Sequence, residues 1–132
     1  MASLIKRVGT TYIPVANPAK ASEWYQETLG AVETYRDQDK AILDFADQSF
    51  FLVKAMEGAR VGFTDYKGNV LFCLTFEVDG LAMLQDLHAL LLERDVDVGE
   101  IEDRGHVGNN FVFSDPDGNL FDVWSELSPK FQ

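Results

Sequence analysis

The side chains able to do chemistry in this chain are few: carboxylates on strand-like segments, notably Glu77 and Asp122, a single cysteine, Cys73, and two histidines, His88 and His106. Asp122 stands in SDPDGNLFDVW, Ser114 to Trp124, where a tight acidic turn runs straight into an apolar strand pattern. Asp122 and Glu77 have the types for an acid and base pair, although an acidic chain brings carboxylates together without any catalytic purpose. Cys73 would act as a nucleophile only if a cation or a base lowered its thiol pKa. His88 falls on an apolar helical stripe, where a packed histidine is expected. His106 lies in the loop RGHVG. The chain offers no phosphate-binding glycine loop, and DPDGN reads as a turn in which Gly118 takes positive φ.

The elements that must position these groups fall into two similar halves. VGTTYIPV reads as a strand, and Asn17-Pro18 as a helix cap followed by proline at the first helical position. Ala21, Trp24, Tyr25, Thr28 and Leu29 follow the helical repeat up to Gly30, which suits a left-handed cap. AVETYRD, KAILDF and SFFLVKA then read as three short antiparallel strands. In the second half, NVLFCLTFEVD reads as one strand, and Leu81, Leu84, Leu87, His88 and Leu91 mark a helix. Weak strand signals near VGEIED and strong ones in NNFVFS and NLFDVWS complete a second β-α-β-β-β order. EGARVGFTDYKG, rich in glycine and charge, reads as the linker between the halves.

Strand alternation assigns faces. Thr11, Ile13 and Val15 leave Thr10, Tyr12 and Pro14 on the opposite side; Phe72, Leu74, Phe76 and Val78 leave Cys73, Thr75 and Glu77; Phe121 and Val123 leave Leu120, Asp122 and Trp124. The second face in each case mixes aromatic area with a few polar atoms, the composition of a half-wet ligand cavity.

Composition narrows the partners. The 132 residues, 46% hydrophobic and 12% aromatic, suffice for one domain with one core. A formal net charge of −11, from 22 acidic against 11 Lys and Arg side chains, repels polyanions and excludes nucleic acid as the expected partner. No run approaches the roughly 18 consecutive apolar residues of a membrane helix, and MASLIKRVGTTYIPV lacks a signal-peptide core. A single cysteine precludes an internal disulfide. A soluble, cytoplasmic protein with no membrane or nucleic-acid partner is the expectation.

The paired halves, with the opening YIPVANPAKASEWYQETLG, its weaker echo LTFEVDGLAMLQDL and the closing FVFSDPDGNLFDVW, resemble the vicinal oxygen chelate superfamily. That superfamily includes glyoxalase I, extradiol dioxygenases, fosfomycin-resistance enzymes and bleomycin-binding proteins. The resemblance implies an α+β fold in which two paired βαβββ modules, about 5–56 and 69–128 with a linker at 57–68, form curved mixed sheets around a cavity. One domain would span 1–132. It also implies a homodimer, and it does not fix one reaction.

The family's enzymes hold a divalent metal with His and Glu or Gln ligands. Carried over, the two histidine positions fall on Thr10 and Cys73, the first carboxylate or glutamine position near Phe51, and the terminal glutamate position on Asp122. Thr10 is a weak neutral donor and Phe51 none, so no metal and no cofactor is expected. Rebuilding a zinc site from Cys73, Asp122 and His106 is the less favoured alternative. The aligned neighbours of Cys73 include no cation, and Asp122 beside it would raise the thiol pKa, so space-filling explains Cys73 better than nucleophilic attack. The expected function is metal-independent binding of a small organic molecule, with a cationic one favoured by the acidic balance. Thr10, Tyr12, Phe51, Cys73, Thr75, Glu77, Asp122 and Trp124 would line the site, with Trp24 as a further wall unless it packs in the helix core. A metal-dependent lyase, isomerase or dioxygenase with an atypical site, and a non-catalytic interaction or regulatory protein, are the alternatives.

Overall fold

The computed structural model describes residues 2–129. The chain forms two compact units, one ending at Ala59 and one beginning at Arg60.

In the first unit, β1 (Thr10–Val15) leads into α1 (Pro18–Leu29), followed by β2 (Val32–Arg36), β3 (Lys40–Phe45) and β4 (Gln48–Lys54). The Asn17 side chain accepts the Lys20 N–H at 3.2 Å, and Gly30 closes the helix in the left-handed region. The sheet order is β1-β4-β3-β2, with β1 parallel to β4 and the other pairs antiparallel. Ile13, Val15, Ala41, Leu43, Phe50 and Leu52 are buried together with Ala21 and Tyr25 of the helix. The helix turns a slightly different face inward than its apolar stripe predicts. Ser22 is fully buried, donating its hydroxyl to Glu33 at 2.9 Å, while Trp24 and Leu29 are only half-buried. A hydrogen bond to a strand carboxylate is what lets a serine take the core position.

In the second unit, β5 (Phe63–Thr64) and β6 (Val70–Leu71) form a hairpin. Then come β7 (Thr75–Glu77), α2 (Leu81–Glu93), β8 (Asp97–Val98), β9 (Asn110–Ser114) and β10 (Leu120–Trp124). The main sheet has the order β7-β10-β9-β8, again with the first pair parallel. Leu84 and Leu91 of α2 are buried with Phe111, Phe113, Phe121 and Val123, and the Phe113 and Phe121 rings lie 5.5 Å apart. His88 is a packed histidine, as its stripe position predicts: its ring meets Phe111 edge-on and its Nε2 donates to the Gly99 carbonyl at 2.8 Å.

One reading needs correction. NVLFCLTFEVD is not one strand, because the chain changes partners within it: β6 pairs with β5, Cys73 sits at a bend, and β7 pairs with β10. Alternation therefore fails across the bend. Phe76 joins the core rings, but Phe72 lies under a guanidinium, that of Arg104, 5.5 Å from its ring centre. The stretch read as a linker, 57–68, contains β5 and most of the turn that joins it to β6.

Candidate functional site

Each sheet has one face on its helix and one face away from it, and the sequence-predicted residues divide between the two sheets. In the first sheet Tyr12 pairs with Phe51, which pairs with Ile42, so these three share a row on the face opposite the core. The Tyr12 and Phe51 rings are 5.2 Å apart, and Tyr12 remains 64% exposed. Thr10 is exposed two residues earlier, opposite Ser49. Trp24 packs edge-on against Tyr25 in α1, with ring centres 4.9 Å apart, so it belongs to the helix side and not to this row.

In the second sheet the corresponding row is polar. Asp122 pairs with Thr75 on one side and Val112 on the other. Asp122 Oδ2 accepts the Thr75 hydroxyl at 3.0 Å and the Asn110 side-chain amide at 2.9 Å. Its Oδ1 lies 3.1 Å from Arg104 Nη2, and the Asp122 side chain is only 3% exposed. That contact is an ion pair without an aligned hydrogen bond, and Asn110 Oδ1 beside it has no donor at all. Arg104 also pairs with Glu102 at 2.8 Å. Partial burial works against its charge, yet Glu102 and Asp122 hold the guanidinium above its ordinary pKa. It is a permanent cation in this site.

The remaining predicted residues are occupied otherwise. Glu77 accepts the Ser128 N–H at 2.8 Å and the Ser128 hydroxyl at 2.5 Å, so it caps the segment after β10 and makes no pair with Asp122. Trp124 donates its indole N–H to the Val107 carbonyl at 2.9 Å, and its ring meets His106 edge-on. Gly108, at φ +81°, allows this approach: a Cβ there would lie 2.8 Å from Trp124 Nε1 and 2.7 Å from Ser125 Oγ. Cys73 is exposed at its bend, outside any strand.

A divalent metal does not fit this donor set. The carried-over positions offer a hydroxyl, a phenyl ring, a thiol at a bend and a carboxylate already engaged by a guanidinium, a hydroxyl and an amide. Among the described residues no three His, Cys, Asp or Glu side chains converge as a metal site, so Cys73, Asp122 and His106 do not assemble one. In the DPDGN turn Asp115 accepts the Asp117 and Asn119 N–H groups and the Asn119 amide, while Asn119 Oδ1 accepts the Val61 N–H at 2.7 Å. No helix among the described residues is long and apolar enough to cross a membrane.

Sequence reasoning missed Arg104 and Asn110. Asn110 had a usable signal, since alternation from Val112 places it on the Asp122 face. Arg104 had none, because a loop residue's direction is not written in any period.

A family model described as "Glyoxalase/Bleomycin resistance protein/Dioxygenase superfamily" matches residues 6–123. The fold is similar to that of a lactoylglutathione lyase from Agrobacterium tumefaciens, 13% identical over 92% of this chain and 95% of that one, with a TM-score of 0.72. It is similar to the fosfomycin resistance protein FosX from Listeria monocytogenes, 15% identical over 94% and 96%, with a TM-score of 0.76. It is also similar to TnmS3, an antibiotic binding protein from Streptomyces sp. CB03234, 24% identical over 93% and 98%, with a TM-score of 0.70. No curated protein matches the chain.

Proposed function

The chain belongs to the glyoxalase/bleomycin resistance protein/dioxygenase superfamily, and on that premise we propose that it binds a small organic molecule without a divalent metal. This superfold carries both metal chemistry and plain binding, so the choice rests on the site and not on the fold. The observation that carries it is the state of Asp122. Where the family resemblance puts a metal-binding carboxylate, this chain has one whose charge is met by Arg104 at 3.1 Å.

The other features agree in chemistry. Tyr12 and Phe51 present adjacent rings on an open sheet face, an area suited to stacking against a planar ligand. The net charge of −11 favours a ligand with a positive group. A structural neighbour, TnmS3, is described as antibiotic binding. Together these favour a bleomycin-resistance type of role, sequestration, over a lyase or dioxygenase.

The test is a thermal-shift screen of untagged protein against aromatic and cationic small molecules, run in EDTA, with elemental analysis of the same preparation. Ligands that raise the melting temperature equally with and without EDTA are the expected result. Stoichiometric divalent metal, removed by EDTA together with ligand binding, would overturn the reading.

A further inference from the structure

The ion pair between Arg104 and Asp122 is lopsided. The carboxylate is 3% exposed and fixed by a strand, whereas the guanidinium is 26% exposed and comes from the loop between β8 and β9. It neutralises Asp122 by proximity but aligns no N–H on Oδ1, and the neighbouring Asn110, itself 3% exposed, keeps an acceptor oxygen with no donor. Asn110 Oδ1 is thus a buried acceptor without a donor and Asp122 Oδ1 one met only by an ion pair; such groups are costly, and a ligand that donates to them relieves the cost. Thr75 and the Asn110 amide already fix Oδ2, so the carboxylate is oriented whether or not Arg104 is present. The Phe72 ring, 5.5 Å from the guanidinium carbon, offers its face to any cation placed there. Arg104 has a second partner, Glu102, on its own loop, so leaving Asp122 does not leave its charge unpaired.

We propose that Asp122, Asn110 and Phe72 form a receptor for the guanidinium or primary ammonium group of a ligand, and that Arg104 is its built-in competitor, seated there until the ligand displaces it. The inference rests on the metal-free binding reading and names the ligand class of that site. A cation with several N–H donors brings donors for Asp122 Oδ1 and Asn110 Oδ1, the two acceptors that Arg104 leaves without a hydrogen bond. A cation without N–H donors supplies the charge alone. With Arg104 as competitor, the apparent affinity for a free cation is scaled down to the fraction of molecules in which it is out.

Removing the competitor must therefore tighten binding. Methylguanidinium chloride is titrated, with detection by the amide and indole NMR signals of Asn110 and Trp124, into the intact protein, Arg104→Ala, and Arg104→Ala combined with Asp122→Asn. Arg104→Ala is expected to bind about tenfold tighter than the intact chain or better, and the double variant to lose that gain. Tetramethylammonium, which has no N–H to give, is expected to bind Arg104→Ala at least about tenfold more weakly than methylguanidinium does. Equal affinity in the intact protein and Arg104→Ala, tetramethylammonium binding Arg104→Ala as tightly as methylguanidinium, or a gain that survives loss of the Asp122 charge would each overturn the proposal. If Arg104→Ala does not fold, Arg104→Met reads the same competition, since it keeps most of the apolar stem and removes the cation: a definite gain supports the proposal, and none overturns it. Should the gain be absent while organic ligands still stabilise the intact protein in EDTA, only the Arg104 device falls. Stoichiometric metal binding would instead bring down the metal-free reading itself.

Discussion

Across β1, β4 and β3 the open row of the first sheet reads Tyr12, Phe51, Ile42; across β7, β10 and β9 the open row of the second reads Thr75, Asp122, Val112. The strand order and the parallel pair are the same, so the backbone imposes neither row. The first is a row of packed apolar side chains partly open to water. The second is closed by hydrogen bonds and a guanidinium. One topology thus carries an open aromatic row in one unit and a closed polar row in the other.

The sharpest way to break this comparison is to truncate the middle residue of each row. Asp122→Ala strands the buried Asn110 amide and removes the partner of the partly buried Arg104 side chain, a loss of about 2–4 kcal/mol by the usual cost of unsatisfied buried groups. Phe51→Ala removes a half-buried ring from an open face and costs about 1 kcal/mol, while abolishing ligand-induced stabilisation. Chemical denaturation of the two variants beside the intact chain checks both values. If Phe51→Ala proved the more damaging to folding, the first row would be core and not a binding surface.

A second contrast lies in two turns that share a pattern. Asp65 to Asn69, DYKGN, repeats the bonding of Asp115 to Asn119, DPDGN: the Asp carboxylate accepts the N–H groups of the third and fifth residues and the Asn amide. The first is mostly exposed in the β5–β6 hairpin; in the second Asp115 and Asn119 are buried, and Asn119 also accepts the Val61 N–H. Asp115→Ala is expected to cost about 2–4 kcal/mol, and Asp65→Ala far less. The N–H groups of the DYKGN turn, that of Asn69 first, hold the Asp65 carboxyl below its ordinary value. Its contribution is therefore present above the unfolded pKa of about 4 and lost as pH falls through the lower folded value. Equal losses in the two variants at neutral pH would mean that burial is not what separates the turns.

These contrasts explain how far the residues alone could be read. The helices and the strands β1 to β4, β9 and β10 follow from periods of 3.6 and 2 bounded by caps and polar breaks, and the faces of β1 and β10 follow from the same periods. The family's DPDGN was legible, yet its twin DYKGN was absorbed into a supposed linker, because a turn motif is noticed only where strong strands flank it. β7 was misread because apolar alternation continues through Cys73 while the backbone changes sheets, and pairing partners leave no periodic trace. The occupancy of Asp122 was hidden for a related reason. Its position was readable from alternation, but its partner Arg104 arrives from an irregular loop.

The smallest effect tests whether the first sheet's row is set by its own hairpin. β3 and β4 are joined by two residues, Ala46 and Asp47, with φ of +51° and +59°, and Phe45 faces Gln48 across the turn. Positive φ at both central residues is the geometry that matches strand twist in a two-residue loop, and it favours Asn or Gly at the first position. Asp47 tolerates it, since a short polar side chain bonds locally; Ala46 has no such compensation. Ala46→Asn is therefore expected to stabilise the chain by about 0.5–1 kcal/mol, measured by denaturant midpoint at unchanged slope. Because the Phe51 and Ile42 pairing is fixed by the register of this hairpin, ligand-induced stabilisation through Tyr12 and Phe51 should be retained in the variant. A stabilised protein that had lost it would show that the strained turn serves to hold the open row in a particular twist, and that the two sheets differ in backbone as well as in side chains.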